Sequence, residues 1–240
     1  MNVYWLEQTQ ADVPLHDDWL SRFEADCLSH MLVRKRRDDW RLGRWTAKRA
    51  LAVRLSLPGD LQTLAEIEIR AAASGAPEAF VANRPADATI SLSHRGGIGL
   101  CAVAPAGVAL GCDLEVIEPH GDGFIADYFT PEEQGCISTT ATVAQSQLVS
   151  ILWSAKESAL KALHEGLRVD TRRVTVGGIA SFDKGSWAPL EVRHCDGRIF
   201  HGWRRCAGRM VRTVVADPAP ETPIAIAIKA PSLDGVFQCA

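Results

Sequence analysis

The sequence predicts an α+β protein built from two similar α/β lobes. Trp45-Thr46-Ala47-Lys48, in a helix-like segment, is echoed by Trp153-Ser154-Ala155-Lys156, and each copy runs on into Ala-Leu. Strand-like sequence follows each helix, and a turn-rich break at Glu118–Gly123 separates the halves. These observations favour an internal duplication. We therefore expect an N-terminal lobe over residues 1–117, a C-terminal lobe over residues 118–240, and the active site in the cleft between them.

The expected elements of the N-terminal lobe are a helix, a strand and a hairpin. The helix covers Arg36–Leu51, and alternating Glu and Ile predict a strand within Leu64–Arg70. An apolar stretch interrupted by Pro105-Ala106-Gly107 predicts a hairpin of two strands, Ile98–Ala104 and Val108–Leu114. The strands expected in the C-terminal lobe are Arg173–Val176, Ala188–Val192 and Ile224–Lys229.

Composition narrows the class of protein. The net charge of −3 gives no electrostatic reason to expect nucleic acid or an anionic membrane as a partner. The N-terminus lacks the basic start and apolar core of a signal peptide, and no apolar stretch is long enough to span a bilayer. Seven dispersed cysteines without a Cys-x-x-Cys pair fit a reducing compartment better than a disulfide framework. We therefore expect a cytoplasmic protein.

Two acidic segments predict a divalent-cation site. The first is Gly111–Glu115, at the end of an apolar strand, where alternation turns Asp113 and Glu115 to the same face. The second is a helix in which Glu157 and Lys161 lie one turn apart. Taken alone, Asp-x-Glu after a strand is common, and such a Glu–Lys pair is most often a surface ion pair. Together the three carboxylates suit Mg²⁺, and also Mn²⁺, with the lysine placed for a phosphate oxygen.

This combination resembles the signature of the 4'-phosphopantetheinyl transferases. The motif Gly-x-Asp-x-Glu stands at Gly111–Glu115, and Trp-x-x-Lys-Glu-Ser-x-x-Lys-Ala stands at Trp153–Ala162. A strand ending in Ser-His is present at Ile90–His94, and a helical Gly-Arg-x-x-Ala-Lys pattern at Gly43–Leu51. The four blocks come in the family's order within residues 34–165. They are most similar to the long, single-chain Sfp-type branch, whose members are pseudo-dimers of two α+β lobes.

The resemblance implies a specific reaction, that of a holo-[carrier-protein] synthase. A serine of an apo acyl-, peptidyl- or aryl-carrier protein attacks coenzyme A, takes the 4'-phosphopantetheine group and releases adenosine 3',5'-bisphosphate. The catalytic residues would be Asp113, Glu157 and Lys161, with Mg²⁺ held by Asp113, Glu115 and Glu157. Glu157 would also be the base for the serine proton. The resemblance further implies a monomer, because the two lobes form the site within one chain.

A stripe of cations on the first helix is the candidate site for the 3'-phosphate of coenzyme A. Arg36, Arg44 and Lys48 fall on one helical face, and cations that can fork onto a phosphate suit this ligand. A basic run such as Arg34–Arg37 would ordinarily be a solvated helix face. The resemblance assigns the positions of Arg36 and Arg44 to the phosphate.

The resemblance also implies that His94 and Ser93 contact the phosphates of coenzyme A and that Gly75 and Pro77 shape the loop under the adenine. By its helical position Lys161 is the candidate for the pyrophosphate, and Lys156, on a neighbouring stripe, is a further candidate for the same cleft. At Ala76 the family often has lysine, and Arg84 is the candidate replacement. The alternative to binding is a structural role for His94 and a solvated surface position for Lys156. Trp153 is interpreted as a packing residue that fixes its helix.

The contact with the carrier protein is assigned to Phe124–Glu133, where Thr130 and Pro131 open a helix. Buried core aromatics are the alternative. Two other functions also remain open at this point. One is a Mg²⁺-dependent hydrolase of nucleotide pyrophosphates, and the other is a non-catalytic module that binds coenzyme A or a nucleotide.

Overall fold

A computed structural model describes residues 1–165, 169–177, 179 and 185–228. The first half contains the helices α1 (Arg22–Ser29), α2 (Arg34–Arg54) and α3 (Leu61–Glu66). Its strands are β1 (Tyr4–Thr9), β2 (Ile67–Ala71), β3 (Pro77–Val81), β4 (Arg84–Pro85), β5 (Thr89–Arg95) and β6 (Ile98–Ala104). The predicted helix over Arg36–Leu51 is confirmed as the centre of α2.

The second half repeats a strand, several helices and a set of strands. Its helices are α4 (Asp122–Tyr128), α5 (Pro131–Thr139) and α6 (Thr142–Ala162). Its strands are β7 (Ala109–Val116), β8 (Val174–Gly177), β9 (Ala188–His194), β10 (Ile199–Ala207), β11 (Met210–Asp217) and β12 (Ile224–Ala225). The last strand stops short of its predicted end, and Lys229 lies outside the described residues. The mixture of helices and sheets confirms the predicted α+β class.

Two larger sheets and one small sheet form the framework. The first sheet has the order β12-β1-β6-β5, the second has the order β7-β11-β10-β9-β8, and β2-β3-β4 form the third. In each half the first strand pairs antiparallel with the last long strand, β1 with β6 and β7 with β11. An apolar core shared by the two larger sheets joins the halves, with Trp5 and Leu100 from one side and Leu110 and Val214 from the other.

The predicted β6–β7 hairpin is wrong in its pairing, although both strands exist. β6 pairs with β1 and β5, whereas β7 pairs with β11. The tight turn is instead between β5 and β6, where Gly96 and Gly97 have φ values of 59° and 76°. Positive φ at both central residues is the geometry of a two-residue hairpin turn, which glycine adopts readily. Residues 105–107 therefore connect two sheets rather than two paired strands.

Sheet membership also differs from the predicted boundary after residue 117. β7 lies before that boundary but belongs to the second sheet, and β12 lies after it but pairs in parallel with β1. Strand pairing therefore places the division before β7. We keep two lobes as our proposal, with the C-terminal segment returning to the first. In the described ranges no helix is both long and apolar enough to cross a bilayer.

A buried ion pair ties α2 to the rest of the first half. Lys48 is fully buried and contacts Glu24 of α1 as an ion pair. Its ammonium also donates to the carbonyls of Trp19 and Leu64, at 2.9 and 3.1 Å. The second carboxylate oxygen of Glu24 accepts from the backbone N–H of Ile69 on β2, at 3.0 Å. Lys48 thus joins α2 to α1, to α3 and to the loop at Trp19, and Glu24 extends the network to β2.

The second half contains an equivalent buried ion pair. Lys156 on α6 is fully buried and pairs with Glu133 of α5, with 2.7 Å between Nζ and Oε2. Its ammonium donates to the carbonyls of Thr171 and Val174, at 3.1 and 2.6 Å. Glu133 Oε1 accepts from the N–H of Val176 on β8, at 2.9 Å. The repeated network occurs where the two tetrapeptides echo each other, which supports the proposed duplication.

Candidate active site

Asp113 lies on β7 where α6 and β5 pack against that strand, a region that we call the cleft. Its carboxylate is 2% exposed, and Oδ1 accepts from Ser93 Oγ at 2.8 Å and from Lys161 Nζ at 2.7 Å. Oδ2 is buried and has no hydrogen-bond partner. A buried carboxylate oxygen without a partner is costly, because it has lost water and gained nothing in return. Asp113 therefore has one oxygen available for a ligand.

A glycine explains how α6 comes close enough for this contact. A Cβ built on Gly111 would lie 1.8 Å from the backbone oxygen of Ser158. Only glycine fits at this point, so β7 and α6 approach closely two residues before Asp113. Lys161, nearly one turn beyond Ser158 on α6, then donates both to Asp113 and to the Cys112 carbonyl, the latter at 3.0 Å.

Glu115 is held from both sides by groups that sequence reasoning did not assign to it. Its Oε1 accepts from Trp153 Nε1 at 3.2 Å, and its Oε2 lies 3.2 Å from Arg95 Nε. Burial and then the charge of Asp113 raise the pKa of Glu115, whereas Arg95 lowers it. Trp153 is buried, as its interpretation as a packing residue predicts, but it also orients a carboxylate.

Glu157 is the carboxylate with the largest resolved shift in the cleft. Burial, followed by the negative charge of Asp113, raises its pKa to about 7. Lys161 opposes this shift, with its Nζ 3.9 Å from Glu157 Oε2. Burial would lower the pKa of Lys161, but the neighbouring negative charges, Asp113 foremost, raise it overall. The three carboxylates therefore share one electrostatic environment, in which a further positive charge would be stabilising.

The predicted cation site is not preassembled. Among the described residues, no group of three or more His, Cys, Asp or Glu side chains is arranged to hold a metal ion. The carboxylates are not arranged around a cation because Lys161 contacts an oxygen of Asp113 and Arg95 contacts an oxygen of Glu115. The free Oδ2 of Asp113 and the hard-oxygen chemistry of the set nevertheless fit Mg²⁺, which needs few protein ligands and keeps several waters.

A cavity of about 400 Å³ between α2 and β5 brings together four predicted binding residues. Arg36 and Arg44 line it from the helix, and Ser93 and His94 line it from the strand. The Arg44 guanidinium stacks 4.5 Å from the centre of the Trp40 ring, which also lines the cavity. Arginines on a rigid helix facing a strand end form a pocket suited to a phosphate.

A second cavity, of about 210 Å³, lies along the same strand. Gly75 and Pro77 line it together with Lys161, and Leu92 lines both this cavity and the first. The loop expected under the adenine is therefore near the proposed phosphate lysine. Arg84, the candidate replacement for the family lysine, is exposed on β4. The structure gives no sign that it takes over that role.

Two predicted ligands of coenzyme A are placed elsewhere. Lys48 and Lys156 are each fully buried in ion pairs with Glu24 and Glu133. Their ammonium groups are also bonded to backbone carbonyls, so neither is free to bind a phosphate. The expected stripe of three cations on α2 thus reduces to Arg36 and Arg44. Helical spacing placed Lys48 correctly on that stripe, but it could not reveal that Lys48 is buried and paired with Glu24 of α1.

The segment Phe124–Glu133, predicted to contact the carrier protein, contains both a buried and an exposed aromatic residue. Phe129 is completely buried, whereas Tyr128 is 38% exposed. Phe124, Tyr128 and Trp153 pack against one another with ring centres 4.9–5.1 Å apart. These three rings, with Asp127, line a groove of about 370 Å³ next to the helix that carries Glu157.

The comparison with protein families agrees with this site. Residues 109–220 match the model of the 4'-phosphopantetheinyl transferase superfamily, so the chain carries a domain of that superfamily. The match runs from β7 to just beyond β11 and includes Asp113, Glu115, Glu157 and Lys161. The domain supports phosphopantetheine transfer in general terms. No curated protein matches the chain.

Proposed function

We propose that this protein transfers 4'-phosphopantetheine from coenzyme A to a serine of an apo acyl-, peptidyl- or aryl-carrier protein. The observation that carries the proposal is the environment of Asp113. Lys161 from α6 and Ser93 from β5 both bind its Oδ1, while Oδ2 remains buried and unpartnered. Asp113 and Lys161 lie inside the matched superfamily domain, and Ser93 lies before it. We further propose an Sfp-type enzyme that acts as a monomer in the cytoplasm.

In this proposal, Asp113, Glu115 and Glu157 would hold Mg²⁺ or Mn²⁺. The bound cation would supply charge neutralisation at the pyrophosphate. The protein's own residues supply position. Lys161 donates to a phosphate oxygen, which its 28% exposed side chain can reach from the cleft. Phosphoryl transfer asks mainly for such positioning and charge stabilisation, so a few fixed cations suffice.

The first cavity is proposed to bind the nucleotide end of coenzyme A. Arg36 and Arg44 would pair with the 3'-phosphate, and His94 and Ser93 would face the diphosphate from the strand end. Gly75 and Pro77 would shape the second cavity under the adenine. The two cavities adjoin at Leu92, so one extended ligand could occupy both while its diphosphate stays near Lys161.

Glu157 is proposed as the base. Without a bound cation, burial raises the pKa of Glu157 to about 7, and a bound cation would lower it. The role as base is favoured by its position beside Asp113 and Lys161. The serine oxygen forms a bond to the β-phosphorus of coenzyme A, and its proton passes to the carboxylate. The bond from that phosphorus to the bridging oxygen breaks, and adenosine 3',5'-bisphosphate leaves with the electron pair.

The carrier protein is proposed to contact the segment Phe124–Glu133. Its exposed Tyr128 and the adjacent groove offer an apolar surface next to α6. Residues 122–133 contain no Lys or Arg, so this segment cannot attract an acidic carrier by its charge. The contact in this proposal is therefore apolar, and any charge complementarity must come from elsewhere on the rim.

Release of adenosine 3',5'-bisphosphate tests this function. The enzyme is incubated with coenzyme A and Mg²⁺, with an apo carrier protein, without it, or with a carrier whose acceptor serine is alanine. A transferase releases the nucleotide only with the intact carrier. Release in all three reactions would identify a hydrolase of pyrophosphates. Release in none, together with retained binding of coenzyme A, would identify a non-catalytic binding module.

A further inference from the structure

Arg95 is a residue of the cleft that the proposed function leaves without a role. It is the last residue of β5, and its guanidinium bridges one carboxylate from β7 and one from the loop after β7. Arg95 Nε lies 3.2 Å from Glu115 Oε2, and Nη2 lies 2.7 Å from Glu118 Oε1. The side chain is 45% exposed, so it has room to move. One of its two partners is a proposed cation ligand, and the other is not.

The charges around Asp113 do not balance without a further cation. Asp113, Glu115 and Glu157 share one electrostatic environment, and Arg95 connects a fourth carboxylate, Glu118, to it. Among the described salt bridges only two cations face them, Lys161 and Arg95. The four carboxylates outnumber the two cations. A divalent ion would offset this surplus, provided that an oxygen of Glu115 is released to bind it.

Glu115 is held so that only one of its oxygens needs to be released. Trp153 donates to Oε1 from a buried position, whereas Arg95 contacts Oε2. When Arg95 leaves, the indole still fixes the carboxylate, and Oε2 becomes a free ligand. Arg95 keeps its shorter contact with Glu118. The exchange therefore costs about one half-exposed ion pair, which contributes little to stability in water.

We propose that Arg95 is the resident counter-cation of Glu115, yields that carboxylate to an incoming divalent cation, and withdraws to Glu118. This inference rests on the cation site of the proposed function and deepens it. Arg95 is a positioning residue in this scheme, since it sets how tightly the cation binds without contacting substrate. It also gives a reason for the unassembled state of the site.

Calorimetric titration with Mn²⁺, without coenzyme A or carrier protein, tests the role of Arg95. R95Q removes the competing guanidinium, so we expect Mn²⁺ to bind roughly three- to fivefold more tightly than to wild type. R193Q is the matched control, because it removes an exposed arginine paired with Glu191 on β9, outside the cleft. Its affinity for Mn²⁺ should equal that of wild type.

Glu118 provides the second arm of the test. E118Q removes the group to which Arg95 withdraws, so Mn²⁺ should bind more weakly, and the loss should be clearly smaller in the R95Q background. Such non-additivity is the signature of two groups that share a partner. Equal affinities of wild type and R95Q, or strictly additive effects, would overturn the inference. If wild type binds no Mn²⁺, the proposed cation site itself is overturned, and the role of Arg95 with it.

Discussion

Lys156 and Glu133 form a fully buried ion pair, 2.7 Å between Nζ and Oε2, immediately before Glu157 on α6. The equivalent pair in the first half joins Lys48 to Glu24. Because the first-half pair serves a helix without catalytic carboxylates, the lysine of each tetrapeptide is best understood as structural. In the second half this ion pair and its hydrogen bonds connect α5, α6 and β8, and so fix the helix that carries Glu157 and Lys161.

Replacing either buried lysine is expected to destabilise the protein. K156M and K48M each leave an unpaired carboxylate in the interior, which costs about 3–5 kcal/mol. The control K35M removes an exposed partner of Asp39 and should cost less than about 1 kcal/mol. Urea unfolding followed by circular dichroism measures the difference. A stable but inactive K156M enzyme would instead assign the ammonium to the chemistry.

Gly111 is expected to tolerate no side chain. G111A places a Cβ 1.8 Å from the Ser158 oxygen, so the strand and helix must separate, at about 3 kcal/mol or more. The same shift weakens the contact between Asp113 and Lys161. G123A, on α4 with open space around the new Cβ, should be neutral or slightly stabilising. Thermal unfolding of both variants tests this contrast, and equal melting temperatures would refute it.

The raised pKa of Glu157 makes a prediction about stability in the absence of metal. Its pKa is about 7 in the folded state against the ordinary 4.5. Between these values the folded state retains a proton that the unfolded state has lost, so stability falls as pH rises. E157Q removes this loss.

With a chelator present, E157Q should be more stable than wild type above pH 7, by about 3 kcal/mol. The difference should vanish below the ordinary pKa of a glutamate. Denaturant titrations across this range provide the measurement. A constant difference at all pH values would show that Glu157 does not titrate as described.

Arg36 is expected to recognise the 3'-phosphate. R36Q should raise the KM for coenzyme A roughly tenfold, as for the loss of one charge-assisted contact, and should leave the KM for 3'-dephospho-coenzyme A almost unchanged. R34Q is the control, because Arg34 is exposed and pairs with Asp38. Steady-state kinetics with both substrates decide the question. An equal rise for both would place the phosphate elsewhere.

Much of the site follows from local sequence patterns. Alternation along β7 put Asp113 and Glu115 on one face, and helical spacing put Lys161 one turn after Glu157. The same alternation along β5, extended by two residues, also places Arg95 with Ser93, so this cation was within reach of sequence reasoning. Each of these relationships depends on the regular period of a single element.

Relationships between distant elements could not be obtained in this way. The partners of Lys48 and Lys156 lie on other helices, and nothing in a helical period reveals that a lysine is buried. The wrong β6–β7 hairpin has the same origin. Two consecutive strands with a turn between them predict pairing. Here β7 instead pairs with β11 in the second sheet, where both strands contribute to the shared apolar core. Packing between the halves decides such choices.

The transfer reaction is tested most directly by the intact mass of an apo carrier protein incubated with coenzyme A, Mg²⁺ and enzyme. With the wild-type enzyme the carrier should gain one phosphopantetheine group on its acceptor serine. With D113N, shown to be folded by circular dichroism, the gain should be lost or greatly slowed. If wild type modified none of the acyl-, peptidyl- and aryl-carrier proteins, the result would contradict the transfer reaction. Full modification with D113N would contradict the role of Asp113 in this cleft.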